Sequence, residues 1–197
     1  MEVFLDYQVL DDLLRLEESR YNGSTGMELI SLQRKAVDRE LSIWMSEIAR
    51  VEMVHGIQNP SIAEEKRIIA ERKDQAKLAI ASGMHVKWLI YPCAKIGDGY
   101  SLLDLSFRIA GPEWADADAM ERVFEQTPGI SKGDARHLVS WIFGVQTDQL
   151  DYRPNIDHFV SEDKPLRRAL TQLQAIGSIS ALATAQILSV EELIHQL

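Results

Sequence analysis

The chain has 197 residues, 46% of them hydrophobic, enough to bury one ordinary core without covalent staples. Its single cysteine, Cys93, excludes an intramolecular disulfide and a thiol cluster for zinc, and fits a reducing compartment. A net charge of −9 argues against a broad basic footprint for duplex nucleic acid, although a carboxylate cluster neutralised by bound cations would account for part of it.

The opening residues, Met1 to Asp6, lack the basic start and long apolar run of a signal peptide. No stretch approaches the ~18 uninterrupted apolar residues of a membrane helix, so the expectation is a cytoplasmic protein without a membrane partner. One domain is expected over 1–197, with a helical insertion around 60–130.

Val3-Phe4-Leu5 reads as a buried strand that ends in Asp6. Val9, Leu10, Leu13, Leu14 and Leu16 then mark the apolar face of a helix, with Asp11, Asp12, Arg15, Glu17 and Glu18 on its polar side. After the turn-rich Tyr21 to Gly26, a helix is predicted from Met27 to about Arg39, then a strand over Leu41 to Met45. Ser46 has the position of a cap for a helix carrying Ile48, Val51, Glu52 and Val54.

A long charged helix is predicted from Ile62 to about Ala81, a strand over Val86 to Tyr91, and helices over 101–110, 115–126 and 131–145. His158-Phe159-Val160 reads as a short strand, Ser161-Glu162-Asp163 as a turn, and Leu166, Leu170 and Leu173 as the face of an amphipathic helix. Thr184 to Leu188 reads as a final strand, and Ser189 to Glu192 has the spacing of a capping box before a terminal helix. Strands alternating with helices predict an α/β fold with a central, mostly parallel twisted sheet covered on both faces.

In such a sheet, ligands bind beyond the carboxyl ends of the strands. Asp6 closes the first strand, Glu52 lies within two turns of the second, Asp163 follows Val160 by three residues, and Asp134 opens the preceding helix. Carboxylates gathered at one edge raise one another's pKa unless cations compensate, and hard oxygen ligands select Mg²⁺ or Mn²⁺. Asp134 has a structural use too, because Ser131 to Asp134 has capping-box spacing. His137 shares the helix face of Asp134, where it orients a ligand, touches substrate or packs.

Four strings carry a family resemblance. Val3 to Leu14 supplies a strand, an Asp and an apolar helix; Ser46 to Gly56 supplies a strand-ending Ser with Glu52 six residues on. Gly133-Asp134-Ala135-Arg136-His137-Leu138 opens a helix, and Asp157 to Lys164 places Ser161 two residues before Asp163. In this order they resemble the motifs of PIN-domain nucleases.

The resemblance implies a three-layer α/β/α fold and metal-dependent cleavage, most often of single-stranded or structured RNA. Asp6, Glu52, Asp134 and Asp163 would be the catalytic Mg²⁺ or Mn²⁺ ligands. Ser161, His137, Arg136 and Lys164 would be substrate-binding, within a basic rim that also counts Lys132, Arg153, Arg167 and Arg168. Some members of the family are toxins, so an antitoxin-like protein or a second copy of the chain are the protein partners it suggests.

The sequence departs from the pattern at Tyr7-Gln8, where the family carries Thr-Asn or Thr-Ser. That departure motivates an alternative: a PIN-like module that binds protein or RNA and has lost the chemistry. A phosphohydrolase acting on small phosphate esters is a third reading.

Overall fold

The computed structural model describes residues 1–50, 64–90, 112–146 and 156–197. In chain order these form β1 (Glu2–Leu5), α1 (Tyr7–Glu17), α2 (Gly26–Val37), β2 (Ser42–Ser46), α3 (Glu64–Gly83) and β3 (Lys87–Ile90). Then follow α4 (Pro112–Glu125), α5 (Lys132–Phe143), β4 (Val145–Gln146), β5 (His158–Val160), α6 (Lys164–Ile176), β6 (Gln186–Leu188) and α7 (Val190–Gln196). Residues 47–50 are helical too.

The six strands form one sheet in the order β4-β3-β2-β1-β5-β6, in which only β4 runs antiparallel. The strands are short apolar runs because the sheet is covered on both sides, and alternation along each strand sorts side chains between two cores. Phe4, Trp44 and Phe159 enter one core with Ala117 and Phe124 of α4, Leu138 and Val139 of α5, and Leu166 and Leu170 of α6. Val3, Leu5, Ile43, Met45 and Val160 enter the other with residues of α1, α2, α3 and α7. The arrangement is the expected three-layer α/β/α fold. Among the described residues, no helix is long and apolar enough to cross a membrane.

Chain order steps outward from β1 to β2 and β3 on one side, then resumes with β5 and β6 on the other. The strand order therefore reverses at β1, and β1 pairs with β5 in the register Leu5↔Val160. A crevice opens where the connections diverge, beyond the carboxyl ends of these two strands.

Two expectations need adjustment. The helix expected over 131–145 ends at Phe143; Gly144 is extended, and Val145 and Gln146 pair with Ile90 and Leu89 at the open edge of β3. The last strand begins at Gln186, after a short 3₁₀ turn over Ser180–Leu182. The helix expected over 101–110 lies outside the described residues.

Under the β1–β5 pair, Phe159 stacks on Phe4 with ring centroids 6.0 Å apart and lies 5.0 Å from the Trp141 ring. Trp141 is held in turn, because its indole N–H donates to the Ile156 carbonyl at 2.8 Å. A Phe159→Ala variant should therefore lose ~3–5 kcal/mol of stability in urea unfolding. A loss below ~1 kcal/mol would show that this cluster does not hold the sheet together.

Candidate functional site

Asp6 immediately follows β1 and sits at the N-cap of α1 in extended conformation. Its N–H donates to the Val160 carbonyl at 2.9 Å, so the β1–β5 ladder continues up to the carboxylate. Ser161, the residue after β5, is fully buried and donates its hydroxyl to Asp6 Oδ2 at 2.6 Å. The same hydroxyl oxygen accepts the Asp163 N–H at 3.0 Å. Asp163 caps α6, its Oδ1 accepting from the Leu166 N–H at 3.0 Å.

Asp134 arrives from α5. Ser131 caps that helix by accepting the Asp134 N–H at 3.2 Å, and Asp134 Oδ2 accepts the Ser131 N–H at 2.8 Å. The predicted capping box is thus formed, and it uses one of the two carboxylate oxygens. One further constraint seats α5. Buried Ser46, at the end of β2, donates to Ser140 Oγ at 2.8 Å, and Ser140 donates to the Arg136 carbonyl at 3.1 Å.

Together Asp6, Tyr7, Gln8, Gly133, Asp134, His137 and Asp163 line one cleft of about 170 Å³. Three of the four predicted acidic residues and His137 therefore share a cavity, although they come from three separate chain segments. Glu52, the fourth, lies outside the described residues, as do His55 and Arg153. Among the described residues, no group of three or more His, Cys, Asp or Glu is gathered closely enough to hold one ion by itself.

Two of the residues expected to bind substrate lie elsewhere. Ser161 has no exposed surface, so it orients Asp6 and the start of α6 instead of meeting substrate. Arg136 is also buried, and its Nε lies 3.5 Å from Glu121 Oε1 between α4 and α5, so it does not belong to an exposed basic rim. Arg167 bonds Glu192 of α7 at 3.0 Å. Lys164 does stand exposed in the first turn of α6.

Burial raises the pKa of Asp6; the Ser161 hydrogen bond, His137 and the Tyr7 N–H oppose this, and the Asp134 charge adds to it. A further carboxylate, Asp12, is only 8% exposed, although the helix pattern puts it on the polar side. Burial pushes Asp12 up to about 6; Arg15 opposes the shift, and Asp11, Glu162 and Asp6 add to it. The available signal was its spacing, because Val9 and Leu16 flank Asp12 one helical turn away on either side. Glu162 is itself engaged, accepting the Val190 N–H at the start of α7 at 2.7 Å.

Tyr7, where the family motif has a small hydroxyl residue, turns its phenol to α3. Lys77 Nζ donates to the Tyr7 hydroxyl at 2.5 Å and lies 2.8 Å from Asp11 Oδ1, while Arg15 lies 2.7 Å from Asp11 Oδ2. Burial alone would weaken this group. Instead, hydrogen bonding and charge from Lys77, then Arg15, hold Asp11 below the usual carboxylate range, and bonds to Asp11 and Tyr7 raise Lys77.

The shift of Asp12 sets a sign for stability. Between pH 3.8 and about 6 the folded chain holds a proton that the unfolded chain releases, so stability falls as pH rises through that window. Asp12→Asn should therefore be more stable than wild type at pH 7 in chelator, by ~1–3 kcal/mol, with the advantage vanishing toward pH 4. Asp6 leaves a residual dependence of the same sign. Urea unfolding across the window checks this, and a variant less stable than wild type at pH 7 would contradict it. No protein-family model, curated protein or solved structure matches the chain, so its function is read from these residues and their placement.

Proposed function

We propose that the chain is a Mg²⁺- or Mn²⁺-dependent ribonuclease that hydrolyses phosphodiester bonds in the cleft between Asp6, Asp134 and Asp163. The observation that carries the reading is that these three carboxylates and His137 line one cavity at the switch point of the sheet. The donors fit the ion by chemistry, since hard carboxylate oxygens suit Mg²⁺ and Mn²⁺. Mg²⁺ keeps several waters and is held by one or two carboxylates plus substrate phosphate, so three side chains closing on one point are not required.

Asp6, Asp134 and Asp163 would hold the ion directly or through water, with Glu52 as a fourth candidate. When bound, the ion supplies a low-pKa water and charge stabilisation at the leaving oxygen. The chain's own groups do the rest. Asp6, its carboxylate oriented by the Ser161 hydroxyl, would accept a hydrogen bond from the attacking water. His137 lines the same cavity, and exposed Lys164 stands close in sequence to Asp163, where it would meet a phosphate.

A second reading is a PIN-like module that binds RNA or protein without cleaving. Two observations favour it: the Tyr7 hydroxyl is already engaged by Lys77, and α2 presents Met27, Ile30 and Val37 on the surface. Incubating single-stranded RNA with Mg²⁺ or Mn²⁺ separates the two readings. Wild type should cleave, and Asp6→Asn and Asp134→Asn should each lose at least ~100-fold in rate. Equal cleavage by wild type and both variants would rule out the assigned residues, and no cleavage alongside intact RNA binding would favour the second reading.

A further inference from the structure

Helix α1 borders a second cavity. Where Tyr7 and Gln8 face the acidic cleft, Asp11, Leu14 and Arg15 join Arg20 and Lys73 of α3 around a space of about 230 Å³. Its charge is of the opposite kind. Three cations stand against one carboxylate, and that carboxylate is already bonded by both Lys77 and Arg15. Arg20 pairs with Glu18 at the surface, where both side chains keep substantial exposure and such pairs contribute little. A local positive surplus in a chain of net charge −9 suits an anionic ligand.

Position makes that ligand more specific. Gln8 and Arg15 are seven residues apart on one helix, which is ~10 Å along its axis. At ~3.4 Å of rise per nucleotide in a stacked strand, this spans about three nucleotides. The two cavities border the same side of α1, because Tyr7 and Gln8 of the acidic cleft lie seven positions, two helical turns, before Leu14 and Arg15 of the second cavity. A small phosphate ester would occupy one cavity only. A polyphosphate strand reaches both.

We infer that the Arg15–Arg20–Lys73 cleft binds a backbone phosphate of a single-stranded nucleic acid about three nucleotides from the bond held in the acidic cleft. The inference rests on the nuclease reading for the identity of the strand, but not for the existence of the anion site. Arg20 and Lys73 are the residues to test, since neither lines the acidic cleft. Arg15 is less suitable because it also bonds Asp11.

The probe is a 5′-labelled single-stranded octauridylate, followed by fluorescence anisotropy in Ca²⁺ as the hard cation, with its integrity checked on a gel afterwards. Arg20→Gln/Lys73→Gln should bind ~10-fold more weakly than wild type, with a salt dependence shallower by ~0.7–1.4 in log K against log salt. A diuridylate, too short to span both cavities, should not distinguish the variant from wild type. Thermal denaturation shows that the variant is folded. Unchanged octamer affinity and slope in a folded variant, or no strand binding by wild type, would overturn the site. Binding of inorganic phosphate as tight as that of the octamer would overturn its assignment to a strand. RNA cleavage by wild type, measured separately, keeps the outcomes apart. Cleavage with unchanged octamer binding leaves the nuclease reading and removes the subsite; charge-dependent binding without cleavage does the reverse.

Discussion

The cleft depends on a buried hydrogen bond between residues 155 apart in sequence, from Ser161 Oγ to Asp6 Oδ2. Parallel pairing of β1 with β5 sets Leu5 against Val160, which leaves the next residue of each strand side by side. One hydroxyl then does two jobs, donating to the Asp6 carboxylate and accepting the Asp163 N–H. The orientation of Asp6 and the entry of α6 are thereby fixed together. Without the strand register, the contact with Asp6 would not form.

The same geometry explains how three carboxylates coexist there. Asp6 occupies the N-cap of α1, Asp163 the N-cap of α6, and Asp134 the first turn of α5. Three helix N-termini therefore point toward the cavity, each with a partial positive charge and N–H groups that favour an anion. This moderates the repulsion without abolishing it, since the charge of Asp134 still pushes Asp6 up. Cations of the kind proposed would complete the neutralisation.

The layered fold was legible because strands buried on both faces read as short apolar runs, as Val3-Phe4-Leu5 and Phe159-Val160 do. Both capping boxes, Ser131 with Asp134 and Ser189 with Glu192, were legible because a cap is a local contact at fixed spacing. What escaped is tertiary in origin. Strand β4 exists because β3 offers an open edge, which two residues after a helix do not announce. Arg136 read as a surface cation, and only the packing of α4 against α5 brings Glu121 to it in the interior. Asp12 escaped for a related reason: one of the charges that push it up is Glu162, from a turn far along the chain. Tyr7 was legible as a departure, but its bond to Lys77 across 70 residues was not.

The most direct test of the shared acidic cavity is the position of Mn²⁺, located by anomalous scattering in crystals soaked with that ion. A peak bounded by Asp6, Asp134 and Asp163, and absent from crystals of Asp6→Asn, is the expected result. Well-ordered crystals at saturating Mn²⁺ with peaks only away from these side chains would contradict it.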